Sequence, residues 1–119
     1  RSSGEIHEAL IDMSRRPKPD LTGAVQHAMG ALEYAAREVS GNRRATLGEI
    51  LKHQPTIVPR PLDLGLSKVW GYASDVARHV REGRAPKRDE AELVVGLSAV
   101  VCTYLAAKMP KEFEELEKF

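Results

Sequence analysis

An all-α bundle of about four to five helices is predicted by three observations. Apolar residues recur at alternating spacings of three and four over long stretches, proline and glycine punctuate the chain between those stretches, and no segment shows the period-two alternation of a strand. The clearest stretch follows Pro61, where Leu62, Leu66, Val69, Ala73, Val76 and Val80 form one apolar stripe on a helix. No internal repeat at a fixed period competes with this reading.

A chain of 119 residues suits one domain with a single helical core. Hydrophobic residues make up 42% and charged residues 29%, ordinary globular usage that argues against disorder over most of the length. The formal net charge of +1 implies no wholesale affinity for nucleic acid or membrane, so any such affinity has to come from local clustering. The single cysteine, Cys102, lies in the most apolar run, which rules out a disulfide framework and a cysteine metal site and fits a reducing compartment. No signal-peptide pattern opens the chain, and residues 1–4 are given no structural weight.

From the N-terminus, residues 5–15 place Ile6, Ala9, Leu10 and Met13 on one face of a short helix, ended by the linker Arg16-Pro17-Lys18-Pro19. Its apolar face is expected to find a partner elsewhere in a longer protein, so residues 1–19 are read as helix and linker and 20–119 as the bundle. Asp20 or Thr22 can cap the next helix, in which Val25, Ala28, Met29, Leu32, Ala36 and Val39 form the stripe, with His27 and Tyr34 off its centre. Ser40-Gly41 closes it. After a polar loop with two arginines, Thr46-Leu47-Gly48-Glu49 has the form of a capping box opening a short helix through Lys52.

Pro55, Pro59 and Pro61 forbid continuous helix, so residues 54–60 read as an extended loop, and Pro61 suits the first turn of the helix that follows. A turn is expected over 83–87. Arg88-Asp89-Glu90 then opens a last long helix with acids in its first turn. Residues 91–107 are apolar nearly all round, but Glu92, Gly96, Ser98 and Thr103 interrupt them, which predicts a central helix packed by its neighbours rather than a membrane span. Pro110 precedes an acidic amphipathic tail over 111–117.

The chemistry-bearing residues gather at the end of the Pro61 helix. At roughly 100° per residue, Lys68, Tyr72, Asp75 and His79 share a line beside the apolar stripe. Asp75, one turn before His79, can orient its imidazole as a general acid or base, and Arg78 can stabilise a phosphorane-like transition state. The same Asp and His pair is also ordinary helix-surface stabilisation. Arg81, Arg84, Lys87 and Arg88 follow within ten positions of Arg78, a patch that attracts a phosphate backbone. Cations also collect at a helix C-terminus for dipole reasons alone. Trp70 is expected inside the monomer, and Tyr72 with Lys68 on a partner-facing surface. With 5% aromatics, stacking readout of single strands has little to work with.

Other chemistries lack their parts. His7, His27, His53 and His79 are scattered without ligand spacing, and Gly23, Gly30, Gly41 and Gly48 stand alone rather than in a phosphate loop, so neither metal nor cofactor is expected. There is no nucleophile elbow, and a buried Cys102 is a poor nucleophile.

The order of segments carries a resemblance. Ala31-Leu32-Glu33, Val39-Ser40-Gly41, Thr46-Leu47-Gly48, Pro61-Leu62, Trp70-Gly71-Tyr72-Ala73-Ser74-Asp75, Arg78-His79, Glu90-Ala91-Glu92-Leu93-Val94-Val95-Gly96 and Thr103-Tyr104-Leu105 follow one another as in HEPN-like helical domains of bacterial abortive-infection proteins. The chain resembles that family over residues 23–108. The resemblance implies a dimerising bundle in a cytoplasmic bacterial defence protein with further domains, and an arginine and histidine ribonuclease pair falling on Arg78 and His79, with Asp75 and Tyr72 nearby. Active branches separate the arginine from the histidine by several residues, so RNA binding with weak or degenerate metal-independent endoribonuclease activity is the expectation. The alternative is a non-catalytic dimerisation or protein-interaction module.

Overall fold

The computed structural model describes residues 2–16, 18–53 and 57–108, and they form five helices without a strand. The expectations resting on Pro17, on Pro55 and its neighbours, and on Pro110 with the acidic tail lie outside the described residues. The helices are α1 (Ser2–Ser14), α2 (Leu21–Ser40), α3 (Leu47–His53), α4 (Leu62–Arg81) and α5 (Arg88–Ala106).

Local chemistry sets most boundaries. Asp20 accepts a hydrogen bond from the Gly23 amide at 2.9 Å and so caps α2, and Gly41 ends that helix in the left-handed region at φ 70°. Thr46 Oγ1 accepts from the Glu49 amide at 3.2 Å to open α3. Gly83, at φ 84°, stops α4 and lets the Arg84 amide bond back to the His79 carbonyl at 2.9 Å. Glu90 reaches back to the Lys87 amide at 3.1 Å, which fixes the start of α5.

The centre of the bundle is α2, which packs against each of the other four helices. Its stripe of Ala24, Val25, Ala28, Met29, Ala31, Leu32, Ala35 and Ala36 is buried. Small residues dominate that stripe, so neighbouring helices approach closely, and Leu32, Leu105, Leu47, Ile50 and Val58 fill the remaining space.

Three expectations change. First, α1 starts at Ser2 and most of its predicted face is occupied within the chain: Ala9 is fully buried, Ile6 and Met13 pack on the core against α2 and α5, and Leu10 stays exposed. Packing of Ile6, Ala9 and Met13 carries this helix, and Ser3 and Gly4 in its first turn stay exposed. Second, α5 is not central. Its buried face is Ala91, Val94, Val95, Ser98, Val101, Cys102 and Leu105, while Leu93 and Val100 are 50% and 68% exposed. A bundle this small has one central position, and α2 takes it. Third, the apolar stripe of α4 is buried only in its second half, through Ala73, Val76 and Val80, whereas Leu62 is exposed and Leu66 and Val69 lie outside the buried core. No described helix is long and apolar enough to cross a membrane.

The contact between α1 and α2 has a polar seam absent from the sequence reading. Glu5 and Asp12 on one helix face Gly30, His27 and Gly23 on the other, running antiparallel. His27 Nδ1 lies 3.1 Å from Glu5 Oε2, and its Nε2 lies 3.7 Å from Asp12 Oδ2. A side chain at Gly30 would begin 2.9 Å from Glu5 Oε2, and one at Gly23 would begin 2.7 Å from Asp12 Oδ2. Both glycines therefore make room for carboxylates. Asp12 is nearly buried and pairs with Arg15 through Oδ1 at 3.1 Å, while its Oδ2 has no hydrogen-bond partner among the described residues.

Cys102 is buried beside Ile6 of α1, and burial pushes its thiol up to about 11. An unfolded thiol ionises at about 8.5. The folded state therefore loses stability as pH rises from that value toward the folded one, the unfolded chain giving up its proton first. Native protein at pH 8 is expected to react with a thiol reagent at least ~10-fold more slowly than denatured protein. Equal rates would contradict the burial of Cys102.

Candidate functional site

The second half of α4 is where the chemistry-bearing residues meet. Burying Ala73, Val76, Ala77 and Val80 turns the opposite face of that helix outward, and its end carries Asp75, Arg78 and Glu82 to the surface. Arg78 is the hub of this cluster. Its Nη2 donates to Asp75 Oδ1 at 2.5 Å, its Nη1 lies 3.7 Å from Glu82 Oε1, and its Nη2 stands 3.4 Å from His79 Nε2. His79 Nε2 is also 3.7 Å from Asp75 Oδ2. The His79 side chain is 34% exposed, so solvent and solutes reach it.

The electrostatics follow from these contacts. The hydrogen bond from Arg78, with the charges of His79, Arg78 and Arg84 behind it, holds the Asp75 carboxyl below the usual carboxylate range. The bond to Asp75 in turn raises the Arg78 guanidinium. Glu82 is lowered first by its bond from Arg84, whose Nη2 approaches Oε1 to 2.5 Å. Asp75 therefore stays an anion through the whole physiological range.

Other predicted site residues are distributed differently. Tyr72 is half-buried against the core, and desolvation followed by the charges of Glu90 and Asp89 raises its hydroxyl. That side chain serves the junction of α4 with the start of α5. Lys68 is exposed on α4, ten residues before Arg78 in the sequence. At the rise of an α-helix the two are about 15 Å apart along the axis. Arg88 bonds Glu92 at 3.0 Å. Arg81 and Lys87 are exposed and make no ion pair among the described residues. Trp70, half-buried, lies over the start of α3, where a side chain at Gly48 would meet its ring nitrogen at 3.2 Å.

Comparison of the chain with protein-family models, with curated proteins and with solved structures finds no match. The site is thus read from its own chemistry. Between residues 75 and 92 the cations Arg78, Arg81, Arg84, Lys87 and Arg88 face an equal number of carboxylates, Asp75, Glu82, Asp89, Glu90 and Glu92. The patch is therefore locally neutral, with cations and anions interleaved. Glu82 is the member sequence reasoning undervalued, although its position four residues after Arg78 is the ordinary spacing of a helical ion pair. Among the described residues no group of three or more His, Cys, Asp or Glu side chains stands close enough to hold a metal ion.

Proposed function

We propose that this chain is a HEPN-like helical module of a bacterial defence protein, and that it binds RNA through the end of α4 with weak, metal-independent cleavage. One observation carries the reading: an accessible imidazole within 3.4 Å of a guanidinium and 3.7 Å of a carboxylate, on an open surface. The resemblance in segment order supports it.

A phosphate must displace carboxylates to reach Arg78. Ion pairs this exposed add little net stability because solvent screens them, so the exchange costs little. Once Arg78 turns to a phosphate, His79 Nε2 loses its guanidinium neighbour and becomes available to a ribose 2′-hydroxyl. It accepts that proton while the 2′-oxygen bonds to phosphorus. The bond to the 5′-oxygen breaks, the same proton passes to that leaving oxygen, and a cyclic phosphate remains. Asp75 Oδ2 stands 3.7 Å from that same Nε2, too far for a hydrogen bond, and contributes its negative charge beside the ring.

Local neutrality limits affinity. With Arg78, Arg81 and Lys87 as the cations that engage phosphate, log K is expected to fall with log salt at a slope of about −2 for a single strand. In chelator, purified protein is expected to cleave single-stranded RNA slowly, and His79→Ala to abolish cleavage while leaving binding within about twofold. Cleavage that survives His79→Ala would remove the imidazole from the mechanism.

A further inference from the structure

A cleft of about 370 Å³ opens between residues 18–22, which lead into α2, and Ala85 with Pro86 in the turn that joins α4 to α5. It adjoins the end of α4. Arg78 and Arg84 hold the same carboxylate oxygen, Glu82 Oε1, at 3.7 Å and 2.5 Å, and the Arg84 amide bonds to the His79 carbonyl at 2.9 Å. Ala85 follows Arg84 directly, so the wall of the cleft begins one Cα step, about 3.8 Å, beyond a residue bonded to His79. Pro19, Leu21 and Pro86 make the cleft apolar, and with Pro86 buried and Leu21 packed on the core its walls are held in place. An apolar-walled cleft with few polar groups, in the range of roughly 300–1,000 Å³, is the usual form of a small-ligand pocket.

We infer that this cleft takes up one base of the RNA strand whose phosphate Arg78 holds, and that it favours a base bearing an exocyclic amino group, an inference that rests on the RNA reading above. Bases of a single strand have no pairing partner, and proteins take them up between aromatic or apolar side chains and read their edges by hydrogen bonds. Aromatics are only 5% of this chain, and the two prolines and Leu21 supply the faces instead. The edge groups are of two kinds. Asp20, the one acidic residue lining the cleft, only accepts: its Oδ1 takes the Gly23 amide at 2.9 Å, and its second oxygen makes no hydrogen bond among the described residues. Lys18 only donates, and it makes no ion pair among the described residues. Cytosine presents an amino donor beside its acceptors and suits that pair. Uracil carries a carbonyl in place of the amino group and sets oxygen against the Asp20 carboxylate.

Fluorescence anisotropy of the full chain at low salt in chelator, with oligocytidylate and oligouridylate of equal length, tests this. Oligocytidylate is expected to bind about 5-fold tighter or more, the difference one hydrogen bond to a charged group makes. Asp20→Asn keeps a side chain that caps α2 as well as aspartate does, and it is expected to cut the preference below about twofold with an unchanged circular dichroism spectrum. Ala85→Leu, at an exposed position, narrows the cleft and is expected to bring oligocytidylate down to the affinity of oligouridylate. Equal wild-type affinity for the two oligomers, while Arg78→Ala still weakens both, would overturn the cleft and leave the RNA site standing. A preference that survives both Asp20→Asn and Ala85→Leu would likewise overturn it, and binding of neither oligomer would overturn the cleft together with the RNA reading.

Discussion

A chain that begins at Lys18, lacking α1, is expected to lose most of its cooperative unfolding transition. The first helix buries Ala9 completely and seats Ile6 and Met13 on the core. Ile6 and Met13 are half-buried, so each contributes about half of the roughly 1.5–3 kcal/mol of a fully buried large side chain, and with Ala9 the helix adds about 2–4 kcal/mol. Domains of this size hold only about 5–15 kcal/mol in total. Removal also uncovers His27 and takes away the α1 wall of the pocket that Ile6 and Cys102 both line. Thermal unfolding followed by circular dichroism checks this, together with thiol labelling of Cys102. A shortened chain with an unchanged, sharp transition would show that residues 20–119 fold as a unit of their own.

The second large effect is placed on the central helix. Leu32 is 1% exposed and lies on α2, the helix that all others touch. Its replacement by alanine is expected to cost about 3 kcal/mol, within the usual range for a buried leucine, because lost burial and a residual cavity add. The surroundings are poorly able to collapse into that space, since much of the neighbouring α2 surface is already alanine. Urea denaturation should show a lower midpoint with an unchanged slope. A loss below about 1 kcal/mol would mean that the centre of the bundle lies elsewhere.

Much of this fold is legible in the residues. The stripe from Val25 to Ala36, the Asp20 cap, the Gly41 stop, the Thr46 cap and the start of α5 at Arg88 are local features, and local features follow from spacing and side-chain chemistry. What escapes is pairing across the chain. Nothing in helical periodicity says that Glu5 and Asp12 meet His27, because that contact depends on how two helices cross. The recurrence of Gly23, His27 and Gly30 on one face is a trace of it, intelligible once the opposing carboxylates are seen. Hydrophobicity also misplaces α5: an apolar run is consistent with burial on all sides, and only the competition among five helices for one centre leaves Leu93 and Val100 outside.

The candidate site divides in the same way. Asp75, Arg78 and His79 share one end of one helix, so their meeting is a matter of three- and four-residue spacings and can be read directly. The roles of Tyr72 and of Arg88 depend on α5, whose first-turn acids act on the Tyr72 hydroxyl and within which Arg88 is tied to Glu92. Composition alone cannot show which cations are neutralised. The interleaving of Glu82 and Glu92 with the arginines decides that, and it turns an apparently basic patch into a balanced one.

Binding of a short single-stranded oligoribonucleotide at low salt in chelator, followed by fluorescence anisotropy, tests the central claim most directly when Arg78→Ala and Lys68→Ala are compared. Loss of the phosphate contact at Arg78 is expected to weaken binding about 10-fold, whereas the distant Lys68→Ala changes it less than about twofold. Equal affinities for the two variants, or no binding by the wild-type chain, would contradict an RNA site at the end of α4.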